Sequence, residues 1–121
     1  MMPELKKYQM FIDGQWVDSD TKKTFETLNP ENNKPWAIVP EASANDVDRA
    51  VKSAQKAFEG EWPKMIARDR AKYLRAIGNK LRENSELLGK IETIDTGKLY
   101  RETYQQAKYI AEYYDYICRF S

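Results

Sequence analysis

The chain has 121 residues, with 20 Lys and Arg against 19 Asp and Glu, and no histidine. That length suits one domain or part of one and leaves no room for a second, and the near-zero net charge gives no field to recruit a polyanion along its length. His-based triads and His-containing zinc sites are excluded, and the single cysteine, Cys118, excludes an internal disulfide and suits a reducing compartment.

At the start, Met1 to Lys7 include Pro3 and Glu4 and no apolar run, and nowhere do about 20 apolar residues stand together. A soluble, non-secreted, cytoplasmic protein that contacts no membrane is expected. In Tyr8 to Val17, Asp13-Gly14 stands between two short apolar runs, a pair suited to the positive φ angles of a type I′ turn, and predicts a β-hairpin. Thr24 to Leu28 reads as a third strand, ended by Asn29-Pro30 because proline has no N–H for a ladder. A short extended piece, Trp36 to Val39, precedes Pro40 and completes a strand region over 8–40.

From Ser43 to the end, region 43–121, the period becomes helical. Ser43 can cap with Asp46 at the capping-box position, and Val47, Ala50, Val51, Ala54, Ala57 and Phe58 line one face up to Gly60. A second helix runs from Ile66 to about Glu83 through Arg70, Tyr73, Leu74, Ile77 and Leu81. Asn84 reads as the N-cap of a third, which carries Leu87, Leu88, Ile91 and Ile94 and closes at Gly97. The segment Arg101 to Ser121 has one stripe at Thr103, Ala107, Ile110, Tyr114 and Ile117, and another at Tyr109, Tyr113, Tyr116 and Phe120. Two apolar faces call for two sets of partners. No glycine or proline ends this last pattern, which a truncated chain explains better than a complete one. The fold class expected is α+β, an N-terminal hairpin and third strand followed by three to four helices.

The five glycines, at 14, 60, 78, 89 and 97, form neither a GxGxxG turn nor a phosphate-cradling loop. What stands in order along nearly the whole chain is a set of words: Phe11-Ile-Asp-Gly-Gln-Trp-Val17, Thr27-Leu-Asn-Pro30, Asn45-Asp-Val-Asp-Arg-Ala-Val51, Ala57-Phe-Glu-Gly60 and Ile91-Glu-Thr-Ile-Asp-Thr-Gly-Lys98. Together these resemble the opening of NAD(P)-dependent aldehyde dehydrogenases. The departures are Glu31-Asn32-Asn33, where many members have a small residue, Thr and Gly, and Leu99, where a proline is common.

The resemblance implies residues 1–121 to be the truncated N-terminal part of the dehydrogenase, within its α/β cofactor-binding domain. In the full-length parent a cysteine thiolate attacks the aldehyde, hydride passes to NAD or NADP, and a glutamate-assisted water releases the carboxylic acid. The family's catalytic and cofactor residues lie downstream of Ser121. This chain alone is therefore expected to be inactive and to bind no cofactor, with the aldehyde meeting only the parent. The resemblance also puts the Tyr109 to Phe120 region near the family's substrate tunnel and the hairpin on an oligomerisation face, so a homo-oligomer is expected. A different class of function stays open, a non-catalytic assembly module that pairs with a full-length subunit.

Individual residues carry sharper readings. Cys118, in a helical stripe beside Tyr114 and Ile117, reads as a packing cysteine rather than a nucleophile. Asp95 lies in the last turn of a helix, where the macrodipole disfavours a carboxylate, so it needs compensation. A turn N–H would provide that; alternatively, the resemblance implies a monovalent cation held by Asp95 and the carbonyls of Thr27 and Leu28. The bases Lys64, Arg68, Arg70, Lys72, Arg75, Lys80 and Arg82 read as a solvated face without nucleic acid, since no aromatic platform interleaves with them. Asp13, Asp18 and Asp20 read as turn residues rather than an acid/base pair.

Overall fold

A computed structural model describes residues 5–119. They group into two compact units that divide between Trp62 and Pro63.

The first unit holds β1 (Lys6–Lys7), β2 (Met10–Ile12), β3 (Gln15–Val17), β4 (Thr24–Asn29), β5 (Lys34–Pro40) and α1 (Ala44–Glu59). β2 and β3 pair antiparallel with Ile12 opposite Gln15, leaving Asp13 (φ 51°) and Gly14 (φ 77°) as the turn. Both positive angles are those a type I′ turn requires, so the expected hairpin forms for the expected reason. Its faces are asymmetric: Phe11 and Trp16 sit opposite each other in contact, ring centroids 5.0 Å apart, and face outward at 61% and 67% exposure.

The third strand finds its partner downstream. β4 pairs antiparallel with β5, and β1 pairs parallel with the other edge of β5, giving the order β1-β5-β4. The extended piece read at Trp36 to Val39 is thus the middle of the central strand. The register slips between Thr27 and Leu28, whose partners are Ala37 and Pro35, so Trp36 is the extra residue of a bulge. The turn between β4 and β5 uses Asn33 at φ 55° and the Asn29 side chain, which accepts from the Glu31 N–H at 2.9 Å. Asparagine tolerates left-handed backbone and caps its own turn, so the departure at 31–33 is an alternative solution to the same reversal.

α1 begins as predicted. Ser43 accepts from the Asp46 N–H and Asp46 from the Ser43 N–H, a complete capping box. Its apolar face is not buried within this unit: Val47, Val51 and Phe58 are each more than half exposed. Gly60 ends the helix without adopting the left-handed conformation.

The second unit is a three-helix packing of α2 (Ala67–Glu83), α3 (Ser85–Thr96) and α4 (Tyr100–Ile117). α3 ends at Gly97 (φ 76°), whose N–H bonds the Thr93 carbonyl at 2.9 Å. Asn84 holds the cap position of α3, but its side chain makes no cap bond; its amide donates back to the Lys80 carbonyl at 2.8 Å and finishes α2 instead. α4 lies close against its neighbours. A Cβ on Gly89 would come within 2.9 Å of the Tyr104 backbone, and one on Gly78 within 3.2 Å of the Ala111 carbonyl. The stripe that packs is accordingly Thr103, Ala107, Ala111 and Cys118, small side chains that let helices approach, while Ile110 and Ile117 stay partly exposed. Thr103 is fully buried; its hydroxyl donates to the Gly89 carbonyl at 2.9 Å and lies 2.9 Å from that of Thr93. The second stripe, Tyr109, Tyr113 and Tyr116, faces outward, and Phe120 lies outside the described residues, as do Pro3 and Glu4. Among the described residues no helix is long and apolar enough to cross a membrane.

Candidate functional site

The most elaborately built polar site surrounds Asp46 in the first unit. Its side chain is 1% exposed and accepts from Ser19 Oγ (2.9 Å), the Asp20 N–H (3.2 Å), the Ser43 N–H (3.0 Å) and Ser43 Oγ (3.1 Å), with Arg49 Nη2 at 2.7 Å. The Ser43 N–H first, then Ser19 Oγ, the Asp20 N–H and Ser43 Oγ hold the carboxyl well below the usual range against the opposing effect of burial. Ser19 is itself fully buried, and Asp20 accepts from Asn45 Nδ2 at 3.0 Å. A carboxylate saturated by donors is a structural anchor: it has no lone pair directed at a substrate and no proton to give near neutrality. Half of this site was legible, since the Ser43–Asp46 spacing marks the capping box. Ser19, 27 residues away, carries no periodic or motif signal that links it to Asp46.

The cation candidates fall on different units. Thr27 and Leu28 lie on β4, at the register slip; Asp95 lies in the last turn of α3 and is exposed. Among the described residues no group of three or more acidic, Cys or His side chains converges in a way that could hold a metal. Near Asp95, the Gly97 N–H goes to Thr93 and the Lys98 N–H to Thr96 Oγ1.

Cys118 is buried, and its thiol donates to the Ala71 carbonyl at 3.3 Å, so it packs α4 against α2 and is shielded from substrate. The basic face of α2 is largely paired. Lys72 meets Asp69 and Lys80 meets Glu83 at 2.7 Å, Arg82 meets Asp115 at 2.6 Å, and Arg70 donates to the Met65 carbonyl at 2.6 Å. The Glu83 pairing raises the Lys80 pKa, and on α3 the Lys90 contact lowers that of Glu86. Such a face is solvated and partly self-neutralised. Asp13 occupies the hairpin turn and accepts from Ser53 Oγ on α1 at 3.3 Å, while Asp18 accepts from Gln9 Nε2 at 2.9 Å. Both act as structural residues.

On α4, Tyr109, Tyr113 and Tyr116 line an open cleft of about 470 Å³ with Glu112, Asp115 and Arg119. Tyr109 and Tyr113 meet edge to face with centroids 4.9 Å apart and hydroxyls 3.3 Å apart, and that bond raises the Tyr109 pKa. The cleft offers aromatic area and hydrogen-bonding rims but no base or nucleophile activated for chemistry.

Similarity to known proteins supplies what these side chains do not. The pattern of the aldehyde dehydrogenase family matches residues 16–121. The chain is 41% identical over 101 residues to aldehyde dehydrogenase family 2 member C4 of Arabidopsis thaliana, covering 83% of this chain and 20% of that protein. It is 36% identical over 113 residues to (Z)-2-((N-methylformamido)methylene)-5-hydroxybutyrolactone dehydrogenase of Acinetobacter baylyi, covering 93% of this chain and 23% of the relative. Among solved structures, an NAD-dependent aldehyde dehydrogenase from Sinorhizobium meliloti superposes with a TM-score of 0.90 at 30% identity, over 94% of this chain and 23% of that one. Betaine aldehyde dehydrogenase from Staphylococcus aureus in complex with NAD+ gives a TM-score of 0.88 at 38% identity, over 97% and 23%. The chain therefore spans less than a quarter of the length of these relatives, and its α+β arrangement is a part of their fold. By sequence pattern and by structure, this chain belongs to the aldehyde dehydrogenase family.

Proposed function

We propose that these residues are the N-terminal portion of an NAD(P)-dependent enzyme that oxidises an aldehyde to a carboxylic acid. The observation that carries this reading is the family pattern matched over residues 16–121, through both units, together with relatives of which this chain spans only 20% and 23%. The described side chains supply a scaffold: a saturated anchor at Asp46, a packing thiol at Cys118 and no glycine-rich cradle for a pyrophosphate. Cofactor binding, aldehyde binding and catalysis are accordingly assigned to polypeptide beyond these residues, and the isolated chain is inactive. Intact mass of the native protein, joined to an NAD(P)-reduction assay over several aldehydes, tests this. A longer active protein supports it; a mass of 14.2 kDa without activity overturns it in favour of an assembly role.

Two finer readings belong with it. The outward pair Phe11 and Trp16 supports subunit contact through the hairpin. Replacing both by Ser should lower the sedimentation coefficient of the native protein while leaving α2 to α4 helical; an unchanged coefficient removes the hairpin from the interface. The Asp95 carboxylate, which the family resemblance makes a cation ligand, is an oxygen donor of the kind that suits a hard monovalent cation. Sodium or potassium should then raise the melting temperature of the native protein more than choline does, and Asp95→Asn should remove the difference.

A further inference from the structure

We propose that residues 18–23 form a strap buckled to the start of α1 by Asp46, able to open locally while the rest of the first unit stays folded. The sequence of this segment, Asp-Ser-Asp-Thr-Lys-Lys, contains no apolar side chain, so hydrophobic burial cannot hold it. Its attachments are polar. At the ends, Asp18 accepts from Gln9 Nε2 at 2.9 Å and the Lys23 carbonyl from the Glu41 N–H at 3.0 Å. In the middle, Ser19 Oγ and the Asp20 N–H both donate to Asp46, and Asn45 Nδ2 donates to Asp20. Ser19 is the one residue of the six that is buried, so the strap is fastened at a single enclosed point. A tight turn follows at once, with the Lys22 N–H bonded to the Ser19 carbonyl at 2.9 Å and Lys22 at φ 58°. A lysine in left-handed backbone costs conformational energy, which release of the buckle would return.

The strap also bounds a space. Ser19, Lys22 and Lys23 form one side of a cleft of about 490 Å³ whose other side includes Lys7, Tyr8 and Ile38. Unfastening Ser19 from Asp46 widens that cleft without disturbing β4–β5 pairing. Low-stability openings of this kind occur where few apolar contacts and many exposed backbone bonds coincide. This inference stands apart from the proposed dehydrogenase activity.

The test is limited trypsin digestion of the native protein, read by mass spectrometry at Lys22 and Lys23 against cleavage at Lys and Arg in α2. Ser19→Ala removes the strap's one side-chain donor to Asp46, leaving only the weaker Asp20 N–H bond from the strap, and keeps the Ser43–Asp46 capping box intact, so α1 still starts normally. Cleavage at Lys22 and Lys23 should rise about tenfold, the effect of losing roughly one buried hydrogen bond, with no change in α2. Amide exchange at Asp20 and Lys22 should accelerate alongside. Unchanged cleavage and exchange in Ser19→Ala would show that the strap is held elsewhere. Equal acceleration throughout the chain would show a general loss of structure, and would equally overturn a local latch.

Discussion

With five donors converging on the buried Asp46 carboxylate, its charged form is favoured in the folded chain far more than in the unfolded one. The folded pKa is depressed, so the stability it contributes is present above the unfolded value of about 3.9 and is lost as pH falls below it. Melting of the native protein should therefore show a steep fall beginning near pH 4, and Asp46→Asn should be less stable at neutral pH and nearly flat across that window. If Asp46→Asn keeps the wild-type slope, other carboxylates carry the acid sensitivity. Gly89 makes a second residue-level case. Alanine would gain about 1 kcal/mol of helix propensity, but its Cβ would meet the Tyr104 backbone at 2.9 Å, and backbone cannot rotate away. Overpacking costs about 1–3 kcal/mol, so Gly89→Ala should destabilise the second unit by up to about 2 kcal/mol in denaturant titration. A stabilised variant would mean that α4 can shift.

At the scale of elements, what was legible followed local chemistry and what was not followed tertiary approach. The hairpin, the α1 capping box and the Gly97 stop are written in adjacent residues, and each forms as the sequence implies. In the sequence β5 shows only as a short extended piece because Pro35 and Pro40 disguise a central strand; the bulge at Trp36 accommodates Pro35 in the ladder. On α4 the packing stripe is centred on Ala111 rather than Ile110, because Gly78 and Gly89 draw the helices so close that only small side chains fit. Hydrophobicity ranks Ile above Ala and cannot register that distance. At Gly97 the left-handed angle of 76° makes a side chain costly, so Gly97→Ala should lower stability by about 1 kcal/mol and fray the end of α3, visible as faster exchange at Ile94 to Thr96. Unaltered exchange would place the stop in the α3–α4 packing rather than in the glycine.

Across the whole molecule, apolar helix faces stand uncovered within each unit, in a chain that spans less than a quarter of its relatives' length. In the first unit the strongly amphipathic α1 turns Val47, Val51 and Phe58 outward, and in the second α4 does the same with Tyr109, Tyr113 and Tyr116. A sequence that maintains helical apolar stripes and leaves them bare is organised for surfaces beyond its own, and relatives of which it spans 20–24% have ample chain to provide them. The 121-residue chain taken alone should then bind an apolar fluorescent dye and associate as its concentration rises. Val51→Lys with Phe58→Lys should reduce both effects while leaving far-UV helicity unchanged, because neither side chain packs within its own unit. In a protein as long as the relatives, the same pair of lysines should instead be damaging, since it would place two charges on a face that the additional polypeptide covers. The contrast between the two lengths is the informative measurement. If the lysines are harmless in both, the α1 face is solvent-exposed in the family fold, and its apolar periodicity serves something other than intramolecular packing.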